Sequence, residues 1–160
     1  MTGATAMIEI VPFQPADAEA VSALVYSVFD EQVAPSFEPE GIAELHAYAS
    51  AAAIADRART HETVIAWEDG QPVGVIEVRD VDHVSMLFVR SSHSGRGIAT
   101  ALMAHAEALC RAAGRPVMTV HSSLNAQSYY ARRGFVATAE PQRVHGFSFV
   151  PMEKEFKGRE

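Results

Sequence analysis

Hydrophobic and polar positions along the 160-residue chain alternate between strand-like and helix-like periods. Short apolar or β-branched runs predict strands at residues 8–11, 63–67, 73–78, 81–89, 117–120 and 147–152. Apolar residues spaced near 3.6 predict helices at residues 15–28, 40–59 (in one or two pieces), 98–113 and 125–133. Residues 29–39, which contain two prolines before the second helix, predict a loop. This order of elements predicts a mixed sheet with helices, of the α/β or α+β class.

Two glycines and one histidine refine the pattern. Asp69-Gly70 stands between two β-branched runs, which is typical of a tight hairpin. Gly74, inside the second run, predicts a bulge or a close approach of the backbone. On a helical wheel, one face of residues 98–113 collects Ile98, Ala101, Leu102, Leu109, Ala112 and Ala113. His105 falls beside them, which favours a core histidine.

The composition is that of a single globular domain. Apolar residues make up 48% and charged residues 21% of the chain, so we expect one domain over residues 8–157 after a flexible segment 1–7. The single cysteine, Cys110, excludes an internal disulfide framework and is expected to be a small buried hydrophobe. Residues 1–7 lack the pattern of a secretory signal, and no apolar run approaches the ~20 residues of a membrane span. We therefore expect a cytoplasmic protein that does not bind a membrane.

Charge is distributed unevenly along the chain. The net charge is −7, but residues 1–82 carry 15 acids and 3 bases, whereas residues 83–160 carry 5 acids and 10 bases. This asymmetry is either chance or a sign that the second half binds an anion and the first half faces a cation. A pI near 5.5 and only two lysines disfavour nucleic-acid binding. The seven histidines show no paired ligand spacing, so no metal is expected.

A glycine-rich turn is the sharpest local signal. Residues 94–99 read Ser-Gly-Arg-Gly-Ile-Ala between a predicted strand and a predicted helix. Glycines let the backbone approach a ligand, and the helix start supplies free N–H groups, so this turn predicts a phosphate site; the alternative is an ordinary turn. Ile98 follows Gly97 where a P-loop needs lysine. Thr100 stands where a dinucleotide fingerprint needs its third glycine, so both of those sites are excluded.

The turn and a second block together resemble the GNAT superfamily of N-acetyltransferases. That family's phosphate loop reads Q/R-x-x-G-x-G/A, here Ser94 to Ala99, and opens a helix after a strand. The second block is an asparagine followed by tyrosine and Gly-Phe, here Asn125, Tyr130 and residues 134–135. Residues 146–154 resemble the closing strand of many bacterial members. Ser94 stands where the family has Arg or Gln, but the other phosphate contacts are mostly backbone amides, which survive this change.

The resemblance implies a fold and a reaction. The fold would be a mixed, mostly antiparallel twisted sheet with flanking helices and a splayed parallel strand pair, at residues 83–89 and 117–121. The reaction would be direct transfer of an acetyl group from acetyl-CoA, in a ternary complex, to a primary amine of a small molecule or peptide. A catalytically silent CoA-binding sensor or regulatory module is the alternative. A homodimer is left open.

The resemblance also implies binding and catalytic roles for individual residues. The acetyl-CoA-binding positions would be Leu87, Phe88, Val89, Ser94, Gly95, Arg96, Gly97, Ile98, Ala99, Thr100, Asn125 and Tyr130. Tyr130 would be the general acid, with a packed aromatic as the alternative. The general base would be Glu77, His121, His83 or a water molecule.

The resemblance also implies ligand contacts in two further regions. Arg132 and Arg133 would reach the adenosine 3′-phosphate or simply be solvated. The acceptor amine would meet the first two helices and their loop, which offer aromatic and acidic side chains: Phe29, Asp30, Glu31, Phe37, Glu38 and Glu40.

Overall fold

A computed structural model describes residues 8–156, so the predictions for residues 1–7 and for residue 157 lie outside the described part. The strands are β1 (Glu9–Pro12), β2 (Glu62–Glu68), β3 (Gln71–Arg79), β4 (His83–Val89), β5 (Val117–Ser122), β6 (Val136–Ala137), β7 (Gln142–Val144) and β8 (Phe147–Glu155). The α-helices are α1 (Ala18–Val28), α2 (Pro39–Tyr48), α3 (Ala51–Arg57), α4 (Ile98–Ala112) and α5 (Gln127–Arg132). No helix among residues 8–156 combines the length and the apolar character needed to cross a membrane.

The strands form one mixed sheet in the order β1-β2-β3-β4-β5-β8-β6, with β7 paired to β8. Only β4 and β5 run parallel among the described strand pairs; the other pairs are antiparallel. Parallel strands need a crossover connection, and α4 supplies it. The predicted fold class is confirmed: a mostly antiparallel sheet with flanking helices and one parallel pair.

Two hydrophobic clusters cover opposite faces of β3. Val75 belongs to the cluster that includes α1 and α3, whereas Ile76 belongs to the cluster that includes α4. Successive side chains of a strand point to opposite faces, so a strand between two helical layers is apolar at consecutive positions. The buried run along β3 reflects this position.

The hairpin between β2 and β3 forms as predicted. Asp69 and Gly70 both have positive φ angles, of 53° and 76°, as a tight two-residue turn requires. The β2–β3 register shifts beside Gly74, between Ala66 and Trp67. A Cβ on Gly74 would lie 3.0 Å from a methyl carbon of Ile98, so this glycine also lets α4 pack closely on the sheet. Both interpretations of Gly74 are confirmed.

Several local predictions need correction. The expected loop at residues 29–39 contains a π-helical turn, Phe29–Val33, and a 3-10 turn, Ala34–Ser36, and α2 begins at its end. Strands β6 and β7 were not predicted, because both are short and exposed.

The buried face of α4 also differs from the predicted one. His105 is exposed, because the buried face is centred nearer Ala106 and includes Glu107. A wheel drawn from apolar residues alone misses that acidic position. Cys110 is fully buried, as expected.

Candidate active site

A cleft of about 1000 Å³ opens where β4 and β5 separate. The two strands pair only at His83 with Thr119 and at Val84 with Val120. The register of β3 and β4 shifts next to this point, so that Ser85 is an extra residue in β4. A bulge bends its strand and increases the local twist. Beyond Val84, the β5-facing edge of β4 has no strand partner in the described sheet, which leaves its backbone groups available to a ligand.

The glycine-rich turn forms one end of this cleft. Gly95 and Gly97 have φ angles of 77° and 82°, in the left-handed region that favours glycine. Gly97 caps the 15-residue helix α4, and its carbonyl accepts the N–H of Ala101 at 2.9 Å. The N–H groups of residues 98–100 precede this first helical bond and point out of the helix start. With the positive end of the helix dipole, they form a cradle suited to an anion.

Glu68 holds this turn from the neighbouring strand β2, a role that the sequence analysis missed. Its carboxylate accepts hydrogen bonds from Arg96 Nη2 at 2.6 Å and lies 2.6 Å from His93 Nε2. Hydrogen bonds from Arg96 and then His93 lower the pKa of Glu68. Arg96 therefore points to Glu68, and its side chain does not line the cleft. The pattern carried no signal for this contact, because 28 residues separate the partners.

Tyr130 reaches the cleft from α5, opposite β4. The residue is 5% exposed, and its ring packs edge-on against Tyr129 and Phe135. Burial raises the pKa of the Tyr130 phenol above its ordinary value of 10.0. The phenol is therefore protonated at neutral pH. The neighbouring Tyr129 hydroxyl is buried without a hydrogen-bond partner among the described residues.

Two histidines line the cleft where β4 and β5 part. His83 Nδ1 lies 2.8 Å from Thr119 Oγ1, and the His83 ring meets the His121 ring edge-on at 5.1 Å. His121 stacks on Phe149 at 4.5 Å between ring centroids. Burial, followed by the charge of Arg79, lowers the pKa of His83 to about 4 and also lowers that of His121. Both rings are therefore neutral at pH 7 and can accept a proton.

Glu77 lies behind the cleft and does not line it. Its side chain is fully buried and accepts hydrogen bonds from Tyr48 at 2.8 Å, Ser85 at 2.7 Å and Arg57 at 2.9 Å. The Arg57 guanidinium also covers the Tyr48 ring at 3.4 Å. Tyr48 and Ser85 both line the cleft, so Glu77 fixes two hydroxyl groups that face it.

Most of the predicted cofactor positions meet in this cleft: Leu87, Phe88, Val89, Ser94, Gly95, Gly97, Ile98, Ala99, Thr100, Asn125 and Tyr130. Arg132 also lines the cleft, whereas Arg133 pairs with Glu107 at 3.0 Å. Among the residues predicted to meet the amine, only Phe29 and Phe37 line it.

The predicted acidic contacts to the amine need correction. Asp30 pairs with His46, Glu38 pairs with Arg143, and neither Glu31 nor Glu40 faces the cleft. The carboxylate that lines the cleft in the described residues is Glu44, on α2. Nothing in the sequence favours Glu44 over the other acids, because the side of α2 that faces the cleft depends on how the helix docks.

Comparison with known proteins decides the family. The family description "Acetyltransferase (GNAT) domain" matches residues 33–156, which is most of the chain. The chain belongs to the GNAT acetyltransferase family. The resemblance stated from the sequence is thereby confirmed, and this GNAT protein is an acyltransferase by family.

Known relatives agree with this assignment. The uncharacterized N-acetyltransferase YafP of Escherichia coli is 29% identical over 143 residues, which is 86% of each chain. A crystal structure of a GCN5-related N-acetyltransferase from Rhodopseudomonas palustris has a TM-score of 0.79 and 30% identity, covering 98% of this chain and 99% of that one. The PaiA N-acetyltransferase of Thermoplasma acidophilum, solved with coenzyme A, has a TM-score of 0.77 and 18% identity, covering 94% and 99%. The last comparison supports the fold alone.

No group of three or more His, Cys, Asp or Glu side chains within residues 8–156 is arranged to hold a metal ion. The cleft instead combines backbone donors, neutral histidines and a protonated phenol. Such a set suits acid–base chemistry on a ligand with an anionic portion.

Proposed function

We propose that this protein is an acetyl-CoA-dependent N-acetyltransferase that transfers an acetyl group directly to a primary amine. The opening between β4 and β5 is the observation that carries the proposal. It brings an unpaired strand edge, a helix N-terminus and a protonated phenol into one cleft. Acetyl-CoA would supply the activated acetyl thioester and an anionic pyrophosphate.

The residues present fit such a donor substrate. The N–H groups of residues 95–100 suit a pyrophosphate, because several converging donors are needed where each contributes only about 0.3–1 kcal/mol. The free edge of β4 at Leu87 to Val89 suits the amide groups of a pantetheine arm, which can pair with it as a strand does. Asn125, Ser94 and Arg132 also line the cleft and can make polar contacts to the cofactor.

Tyr130 is the proposed general acid. The transfer forms an amide bond to the acetyl carbon and breaks the carbon–sulfur bond, so the leaving sulfur takes one proton. The amine nitrogen loses one proton in the same reaction. A phenol whose pKa burial keeps high does not ionise beforehand, and it can donate when negative charge develops beside it. A positioned acid typically contributes ~10²–10⁴-fold to the rate.

His121 is the proposed base, with His83 beside it. Both rings line the cleft and are neutral at pH 7, because their pKa values are lowered. Glu77 is proposed as a positioning residue that acts through Tyr48 and Ser85, since its own carboxylate is buried behind them. The cytoplasmic location and the homodimer stay predictions.

Release of free thiol tests the proposal. The protein would be mixed with acetyl-CoA and a panel of primary amines, and thiol would be measured against an amine-free control. We expect amine-dependent release, with kcat at least 100-fold lower in Tyr130→Phe. Tyr129→Phe is the matched control, and its effect should be at most about three-fold. Coenzyme A binding without thiol release for any amine would favour the silent CoA-binding module instead.

A further inference from the structure

Two segments that are far apart in the chain contact each other beside the cleft. The turn between β7 and β8 docks on the start of α2, where the Glu38 N–H donates to the Gly146 carbonyl at 3.0 Å. Gly41 and Gly146 touch so closely that a Cβ on either would overlap the other. Arg143 also pairs with Glu38 at 3.1 Å. This hairpin contact is next in sequence to Phe37 and Phe147, which line the cleft at the end that we assign to the acceptor.

Apolar side chains line this end of the cleft. They come from α1, the turns after it, α2 and β8, and they are Val28, Phe29, Val33, Phe37, Leu45 and Phe147. The Phe37 ring meets the rings of Phe29 and Phe147 edge-on, each at 5.3 Å between centroids. Such rings form a rigid wall that favours a compact apolar group of matching shape.

The charges at this end suit a single ammonium group. Glu44 is the carboxylate that lines the cleft among the described residues, and Arg79 lines it too. The nearby acids Asp30 and Glu38 are already paired with His46 and Arg143. Among residues 8–156 the cleft lining therefore offers a second ammonium no further carboxylate, and it presents instead the guanidinium of Arg79, which lies 3.8 Å from Asp80. Unpaired charge is costly to desolvate, so polyamines are disfavoured.

We infer that the acceptor is a small primary amine with one positive charge and a compact aromatic or branched apolar body. The inference rests on the proposed function, because it assigns the amine to the acceptor end of that cleft. Glu44 attracts the ammonium form, and the apolar wall holds the body. The ammonium loses one proton to become the neutral amine before its nitrogen attacks, the nitrogen loses a second as the amide forms, and the amide product carries no charge.

The first test compares three classes of amine. The full chain is assayed for thiol release with acetyl-CoA and 2-phenylethylamine, spermidine or a short lysine-containing peptide. We expect kcat/KM for 2-phenylethylamine to exceed the other two by at least 30-fold. Equal or faster turnover of spermidine or the peptide would overturn the inference and leave the proposed function standing.

Binding is measured separately, so that the inference remains testable if no amine reacts. Calorimetry on protein saturated with coenzyme A should show 2-phenylethylamine binding more tightly than spermidine. No thiol release with any amine would contradict the proposed function. Failure of 2-phenylethylamine to bind, or tighter binding of spermidine, would contradict the inference.

Variants locate the binding to this end. Phe37→Ala should raise KM for 2-phenylethylamine about ten-fold and leave KM for acetyl-CoA within two-fold. Phe156→Ala is the matched control, because that half-buried ring packs against Arg111, outside the cleft. Glu44→Gln, which changes an exposed side chain and should fold, is expected to raise the amine KM about five-fold. Glu19→Gln on α1 should not change it, and equal effects in the two glutamate variants would overturn the role of Glu44.

Discussion

The two ends of the cleft are formed by different groups, one by the backbone and the other by side chains. The end at α4 presents backbone N–H groups that two left-handed glycines and one helix start bring together within a few residues. The acceptor end presents side chains from α1, α2, β4, β5 and β8, which the fold assembles from across the chain. A backbone site needs little from the side chains around it, so it is recognisable in the sequence. A side-chain site changes with each substitution in its wall.

Charge shows the same contrast. The basic second half of the chain suggested that this half binds an anion, but two of its arginines, Arg96 and Arg133, are paired with Glu68 and Glu107. The groups that form the anion cradle are backbone amides. The acidic first half suggested carboxylates for the amine, but Glu44 alone among the described acids lines the cleft. The asymmetry in charge is therefore a poor guide to either end.

The largest expected effect on cofactor binding comes from changing the cradle itself. Gly97→Ala adds a Cβ at a left-handed φ of 82°, which costs roughly 1–2 kcal/mol and turns the helix start away from its present position. We expect KM for acetyl-CoA to rise about ten-fold. Gly114→Ala is the matched control, since Gly114 has a φ of 77° just after the other end of α4. It should lower Tm similarly with no change in that KM. Equal KM in both variants would contradict the cradle.

A smaller effect is expected from the carboxylate that holds the turn. Glu68→Gln removes the charge that binds Arg96 and His93, so the glycine turn should lose order when the cofactor is absent. We expect KM for acetyl-CoA to rise about five-fold, with kcat and the amine KM nearly unchanged. Glu107→Gln provides the comparison, because Glu107 also binds two cations, Arg133 and Lys154. It should reduce stability without moving KM, and a rise as large as that in Glu68→Gln would argue against a specific role for Glu68.

The smallest expected effect is a change in stability with pH, which comes from His83 in the cleft. His83 has a pKa of about 4 in the folded protein against 6.5 when unfolded, so the unfolded chain binds a proton first as the pH falls. The free energy of unfolding should therefore fall between pH 6.5 and pH 4, by about 1 kcal/mol once water around the half-buried ring is allowed for.

Chemical denaturation across this pH range measures that loss. His83→Gln should flatten this part of the curve, whereas His105→Gln, at an exposed position, should not. A curve that keeps its slope in His83→Gln would assign the loss to another group.

The sequence predicted those elements of the fold that depend on short-range patterns of residues. The Asp69-Gly70 hairpin and the helix after Gly97 form at or near their expected residues, and the parallel pair forms where the family resemblance implied it. Strands β6 and β7 escaped prediction because their few residues are exposed and carry no alternation of apolar and polar side chains. The His145-Gly146 turn, with φ angles of 51° and 82°, was the signal that could have revealed the second hairpin.

The arrangement of side chains at the acceptor end could not be predicted, for a different reason. The contact of Gly41 with Gly146 joins residues that are far apart in the chain, and nothing local marks either glycine as a contact. The burial of Glu107 similarly depends on Arg133 and Lys154, which come from other elements. Such long-range pairs decide which side chains face the cleft.

One measurement tests the central claim most directly. Acetyl-CoA and 2-phenylethylamine would be incubated with the wild-type chain and with Tyr130→Phe, and mass spectrometry would quantify the N-acetyl product beside a thiol assay. We expect one free thiol for each amide formed by the wild type, and at least 100-fold slower formation of both by the variant. Equal rates in the two proteins, or thiol released without amide, would contradict the account.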